Sequence, residues 1–261
     1  NKKDNEMIGC IIQARVGSTR LPRKILKKVD NNFTVLDYVI KQLQSSKKIE
    51  KIIVATTVLE EDDGICDYLS SKKIEFFRGS SKDVLDRFFQ CTKKFSLDII
   101  IRITSDNPLI DPDIVDLVIE EYQDKKCDFA TNTIMRTFPY GTEVEVFSFE
   151  TLKKAWKNAK KPSEREHVTP FIRDPKNKFV LKNIKNQKNI SNFRYTVDKL
   201  EDLLLVKEII KNISTRPIFL QDIIKLYKDK PEIFEINKNI KHDGYLSSIK
   251  KDEQYFKSKN N

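Results

Sequence analysis

The stretch MIGCIIQARVGSTRLPRK, residues 7–24, decides how the chain folds. Residues 7–13 are a short apolar run of the length that suits a buried strand. A polar loop with Gly, Ser and Pro follows from Ala14 to Lys24. Beyond it Val35, Leu36, Val39, Ile40 and Leu43 recur at helical spacing. The alternation repeats outward: strands over 51–55, 74–77 and 97–103, helices over 61–71, 83–94 and 113–122, the last behind Pro112. This succession predicts an α/β fold with a mostly parallel, Rossmann-like sheet and helices on both faces. Ligands of such sheets bind outside the carboxyl ends of the strands, so the loops after strands one, two and four are where chemistry is expected.

The second half is less regular. Strands are expected over 127–131, 143–147, 179–184 and 193–197, with helices over 149–159, 201–212 and 220–227. Without an internal repeat or linker, the 261 residues read as one domain. Its soft subdivisions are a nucleotide-binding half (7–125), a smaller β-containing acceptor and dimerisation lobe (126–192), and a metal-site strand with C-terminal helices (193–261).

Composition narrows the function classes. The chain carries 49 Lys and Arg against 39 Asp and Glu, a net charge of +10. That favours a polyanion partner in principle. Only 11 of the 49 are arginine, however, the lysines are scattered, and no basic stripe interleaved with aromatics appears, so no nucleic-acid partner is expected. No apolar run approaches the roughly 20 residues of a membrane span, and the polar residues 1–6 give no sign of a secretory signal. Cys10, Cys66, Cys91 and Cys127 are spread singly, which suits buried thiols and a reducing cytoplasm.

Within the loop after strand one, Arg15, Arg20, Arg23 and Lys24 surround a Gly17-Ser18-Thr19 turn. Backbone N–H groups ringed by guanidinium and ammonium groups suit a triphosphate. The pattern is not GxxxxGK(S/T). A solvated basic loop is the bland alternative, weakened by the position after strand one.

The segment resembles the signature IIQARxGSTRLPGKxL of the cytidylyltransferases typified by spore coat polysaccharide protein F, relatives of the synthetases for CMP-activated 3-deoxy-manno-octulosonic acid and CMP-sialic acids. Arg23 stands where that pattern has Gly. The resemblance implies a Mg²⁺-dependent homodimer of the nucleotide-diphospho-sugar transferase type that passes CMP from CTP to a small anionic or sugar acceptor. Ala14, Arg15, Gly17, Ser18, Arg20 and Lys24 would hold the triphosphate. A sugar-1-phosphate nucleotidyltransferase using another base is the alternative. A non-catalytic nucleic-acid or polymer-binding protein would explain only the charge.

Two carboxylates fit a metal. Asp106 emerges from the end of strand four in RITSDNPLIDP, which resembles RITGDCPLIDP with Ser105 for Gly and Asn107 for Cys. Mg²⁺ takes one or two carboxylates plus phosphate oxygens and water. Asp111 reads instead as a helix cap. Asp198, in RYTVDKLEDL, resembles RWTVDTPEDL and becomes the second ligand, although alone it could be an N-cap. Asp106, Asp198, Arg15 and Lys24 are the catalytic candidates. Thr56 after strand two, and Gly79, Ser80 and Asp83 in a GSxxDVLxRF segment, resemble nucleoside-lining residues, with Ser105 beside them; for Asp83 a helix-start acid is the plain reading, and for Gly79 turn chemistry.

Residues 128–132, ending in Asn132, and RTFPYGTEVEVF (136–147) resemble the acceptor-side segment RTYPDGLDVEVF. Arg136, Tyr140, Gly141, Glu143 and Glu145 are acceptor candidates. Tyr140 and Thr142-Glu143 replace Asp and Leu-Asp, so acceptor selectivity should differ there. SEREHVTP (163–170) resembles EREHVTPY and adds Arg165, as a clamp on an acceptor carboxylate or phosphate or in an intramolecular pair with Glu, and His167. His242 is assigned to the surface, and the resemblance runs on to Gly244-Tyr245-Leu246.

Overall fold

The computed structural model describes residues 6–124, 126–240 and 252; His242 and residues 244–246 lie outside them. Helices and strands alternate through the first half: β1 (Ile8–Gln13), α1 (Val35–Leu43), β2 (Lys51–Thr57), α2 (Asp63–Ser71), β3 (Phe76–Gly79), α3 (Val84–Phe95), β4 (Ile99–Thr104) and α4 (Pro112–Asp124). Then come β5 (Phe129–Thr131), β6 (Glu145–Ser148), α5 (Phe149–Asn158), α6 (Pro162–His167), α7 (Pro170–Arg173), β7 (Leu181–Asn183), α8 (Leu200–Asn212) and α9 (Leu220–Asp229). Among the described residues the strands form one seven-stranded sheet ordered β3-β2-β1-β4-β6-β5-β7. The first four are mutually parallel, β6 runs antiparallel to both β4 and β5, and β7 is parallel to β5. The mixed right half is the accessory lobe.

Alternation along the strands sends side chains to two cores. Cys10 and Ile12 of β1 pack with α1, α2 and α4, whereas Ile11 packs with α3, α5 and α7. A third cluster joins Tyr195, Val197 and the apolar faces of α8 and α9 to Leu21 and Val35. Burial pushes the Cys91 thiol up to about 12 and Cys10 further, so these cysteines are inert core residues.

Local signals explain several boundaries. Thr34 and Asp37 form a capping box at the start of α1, with Asp37 N–H donating to Thr34 Oγ1 at 3.2 Å and Thr34 N–H donating to Asp37 Oδ2 at 2.8 Å. Asp111 precedes α4 and accepts N–H bonds from Asp113 and Ile114 (2.7 and 3.2 Å), the cap that its position implied.

One expected element differs. Residues 193–197, the expected metal-site strand, form no ladder and touch the 136–144 segment through a single parallel bridge between Tyr140 and Arg194. Gly141 follows the bridge directly, at φ +110. A Cβ there would stand 2.8 Å from Tyr195 Cδ2 and 3.0 Å from the Thr196 nitrogen, so no side chain fits.

Candidate active site

Strands β1 and β4 end together, Gln13 opposite Thr104, so the 14–24 loop and Asp106 leave the sheet at one edge. Lys24 opens a short 3₁₀ turn and lays its ammonium across that edge. Its Nζ donates to Asp106 Oδ2 at 2.9 Å and to Asp198 Oδ1 at 2.9 Å. Asp198 is carried there by the main chain, because Val197 N–H donates to the Asp106 carbonyl at 2.7 Å. Two guanidinium groups also reach Asp198, Arg20 and Arg194, each at 2.9 Å. Burial alone would push the Asp198 carboxyl up. The Lys24 charge, with hydrogen bonds from Lys24 and Arg194, outweighs burial and holds it down to about 2.

Asp198 does not cap α8. That task falls to Asp202, fully buried, whose Oδ2 accepts the N–H groups of Asp198 (3.0 Å) and Lys199 (2.9 Å). Asp202 also takes Arg194 Nε at 3.0 Å and Asn237 Nδ2 at 2.8 Å. The Asp198 side chain is thereby left to face the cations.

Beside these carboxylates opens a cavity of about 940 Å³, walled by Arg20, Asp106, Arg136, Tyr140, His167 and Asp198 among others. Arg136 lies 3.8 Å over the Tyr140 ring and pairs with Glu143 at 2.7 Å. Glu143 is fixed further by Asn107 Nδ2 (3.0 Å) and Gly141 N–H (2.9 Å). Glu145 is held by Arg102 at 2.7 Å and by the Thr169 hydroxyl at 2.9 Å. Between His167 and Thr169 the chain makes a γ-turn: Thr169 N–H donates to the His167 carbonyl at 2.8 Å, and buried Val168 sits at φ 70, ψ −54. A β-branched residue in that region is costly, and such strain gathers at functional sites.

Other sequence candidates have different positions. Asn132 is buried and braces the lobe, donating to the Thr142 carbonyl (2.7 Å) and accepting Val144 N–H (3.0 Å). Arg165 does not line the cavity but grips Asp83 Oδ2 through Nε at 2.9 Å and Nη2 at 2.5 Å, an internal ion pair whose partner is an Asp and not the expected Glu. Asp83 in turn caps α3 through Asp86 N–H (2.9 Å). Ser80 Oγ accepts Asp83 N–H at 3.0 Å, and Gly79 ends β3. Thr56 and Ser105 are buried at the ends of β2 and β4, and Thr56 Oγ1 has no hydrogen-bond partner among the described residues. Ala14 N–H donates to Ala55 O at 3.1 Å, while Arg15 and Gly17 are exposed on the loop and Ser18 is half-buried.

Arg23 explains its own oddity. It occupies the left-handed region at φ 54, the conformation that Gly accepts without strain. Arg23→Gly is therefore expected to match or exceed the wild type in thermal stability, by up to about 1 kcal/mol or a few degrees in Tm. A melting curve checks this; a clear loss of Tm would show that the Arg23 side chain contributes more than its backbone costs.

Residues that motif reading passed over include Arg102, Asn107, Arg194, Asp202 and Asp62. Arg194 and Asp202 lie inside the quoted RYTVDKLEDL segment, where a buried ion pair could have been suspected.

Among the described residues no group of three or more His, Cys, Asp and Glu side chains could enclose a metal, and no helix is long and apolar enough to cross a membrane. Two carboxylates sharing one cation do fit Mg²⁺, which takes its other ligands from phosphates and water.

Comparison with known proteins agrees with this geometry. A family model described as cytidylyltransferase matches residues 9–240. An uncharacterised protein of Methanocaldococcus jannaschii is 38% identical over 237 residues, 90% of this chain and 96% of that protein. The spore coat polysaccharide biosynthesis protein SpsF of Bacillus subtilis is 30% identical over 85% of this chain and 94% of its own. The solved structure of a cytidylyltransferase from Leptospira borgpetersenii superposes with a TM-score of 0.85 at 33% identity, over 91% of this chain and all of that one. On these grounds the chain is a nucleotidyltransferase that belongs to the cytidylyltransferase family.

Proposed function

We propose that the chain transfers CMP from CTP to a small acceptor, a sugar acid or a small phosphate or phosphonate, and releases pyrophosphate. The observation that carries this reading is the Lys24 ammonium held 2.9 Å from both Asp106 and Asp198 at the mouth of the acceptor cavity. An oxygen of the acceptor attacks the α-phosphorus, and the bond to the bridging oxygen of pyrophosphate breaks. Arg15, Arg20 and Lys24 neutralise the phosphates as charge moves onto the leaving group. Asp106 and Asp198 would hold Mg²⁺, which would supply Lewis-acid stabilisation of phosphate oxygens. Arg136, Tyr140 and His167 orient the acceptor. An acceptor phosphate or phosphonate is already an anion and needs no general base; a hydroxyl needs one. The likeness to a spore coat polysaccharide biosynthesis protein favours surface polysaccharide or glycoconjugate synthesis. A cytoplasmic homodimer is the form in which this chemistry is expected.

Pyrophosphate release, measured with each of the four ribonucleoside triphosphates against a panel of sugar acids, phosphates and phosphonates, tests the proposal. Release should require CTP and Mg²⁺ together. Preference for another triphosphate would support a different base, and salt-sensitive DNA binding without release would overturn the catalytic reading.

A further inference from the structure

Beneath the triphosphate loop lies a carboxylate that the transfer chemistry does not use. Asp62 ends the 3₁₀ turn Glu60–Asp62 between β2 and α2, and it has no exposed surface. Its Oδ1 accepts Val16 N–H at 2.8 Å, and its Oδ2 accepts the Thr57 hydroxyl at the end of β2. Val16 is the middle of the Arg15-Val16-Gly17 turn, and its carbonyl accepts N–H bonds from Ser18 (2.7 Å) and Arg23 (3.3 Å). The two peptides flanking Val16 thus organise the loop, and Asp62 fixes the first of them to the end of β2.

Two surroundings strengthen the case. A Cβ on Gly17 would stand 3.1 Å from Glu61 Oε1, so the turn rests against the same acidic segment. Arg87 is fully buried, donates through Nη1 to the Ser80 carbonyl at 3.0 Å, and among the described residues has no hydrogen-bond partner at Nε or Nη2. Burial and the Arg15 charge oppose the Arg87 charge, and the Asp62 carboxylate favours it through space. Arg87 holds the 79–82 loop while Asp62 holds the 14–18 loop. Drawing Val16 N–H inward leaves the N–H groups of Gly17, Thr19 and Arg20 bonded to no atom of the described residues. Those are the donors that phosphate oxygens can take.

We infer that Asp62 is a positioning residue that presets the triphosphate loop by holding Val16 N–H, so that triphosphate binding, and not nucleoside binding, depends on it. The inference rests on the CTP reading above. Calorimetric titration of the full chain with CTP plus Mg²⁺, and separately with cytidine, is the test. Asp62→Ala should weaken CTP roughly tenfold to a hundredfold, the range for losing a charge-assisted bond and loosening the loop, while cytidine changes less than about threefold. Asp62→Asn should rescue, because its Oδ1 still accepts Val16 N–H and its Nδ2 can donate to Thr57 Oγ1. Thr57→Val, which keeps the Val16 bond but frees the other oxygen, should weaken CTP severalfold, and it decides the matter if Asp62→Ala does not fold. Equal losses for CTP and cytidine, failure of Asn to rescue, or an unchanged Thr57→Val beside an unfolded Asp62→Ala would each overturn the inference. Failure of the wild type to bind CTP would instead sink the proposed function, and this inference with it.

Discussion

Lys24→Ala is expected to lower turnover by about a thousandfold while the chain stays folded, the scale on which single phosphate-stabilising cations act. Among the described residues Lys24 is the one side chain that touches both candidate metal carboxylates, and it comes from the loop that would hold the triphosphate. Burial opposes its charge, but Asp106 and Asp198 outweigh burial and hold the ammonium above its ordinary range, so it remains protonated throughout any neutral assay. Without the ammonium, Asp198 keeps Arg20 and Arg194, whereas Asp106 loses the cation it is paired with. The metal-free variant should therefore melt slightly lower than the wild type, and Mg²⁺ should raise its Tm by more. Lys24→Arg should not rescue, since a planar fork does not replace a compact ammonium between two carboxylates. Pyrophosphate release and melting curves with and without Mg²⁺ decide; turnover within tenfold of the wild type would remove Lys24 from the reaction.

What the sequence makes legible follows from physical range. The parallel half is visible because its strands are continuous apolar runs and its helices are amphipathic, both local properties. Asp106 is visible for the same reason, since a buried strand ends where it begins. Asp198 is found by motif, although the strand expected to carry it is a single bridge. Arg165 and His167 sit two residues apart in one motif, yet on a six-residue helix they diverge: His167 lines the cavity and Arg165 pairs with Asp83, 82 positions away. No local pattern encodes that partner. Asp62 is hidden differently. It belongs to a run of four acids, Glu60 to Asp63, that reads as a solvated helix start, and only the fold shows that one of the four points inward.

The largest effect on stability is expected at Asp202, outside every motif-derived role. Its carboxylate, which has no exposed surface, accepts Arg194 Nε and Nη2, Asn237 Nδ2 and the N–H groups of Asp198 and Lys199. Burial alone would raise its pKa, but these donors and the Arg194 charge outweigh burial and lower it. Asp202→Ala takes from buried Arg194 the carboxylate that accepts its Nε, leaves its pair with Asp198, and strips the start of α8 of its cap. Breaking a buried pair in this way costs about 3–5 kcal/mol, a Tm loss on the order of 10 °C for a chain of this size. Asp202→Asn should lose less, because it keeps an acceptor for the two N–H groups. A carboxyl held below its unfolded value of about 4 stabilises the fold at neutral pH, and that contribution disappears as pH falls through the folded value. Acid unfolding of the wild type should therefore draw on Asp202 and Asp198 together as pH falls from about 4 towards the Asp198 value of about 2. The Ala variant should show a shallower dependence there. Arg194 also touches Asp198, so a residue 198 released from its orientation should raise the Mg²⁺ concentration needed for half-maximal turnover. A variant that melts within about 2 °C of the wild type with the same Mg²⁺ requirement would show that Arg194 finds its compensation elsewhere, and the coupling between fold and metal carboxylate would fail.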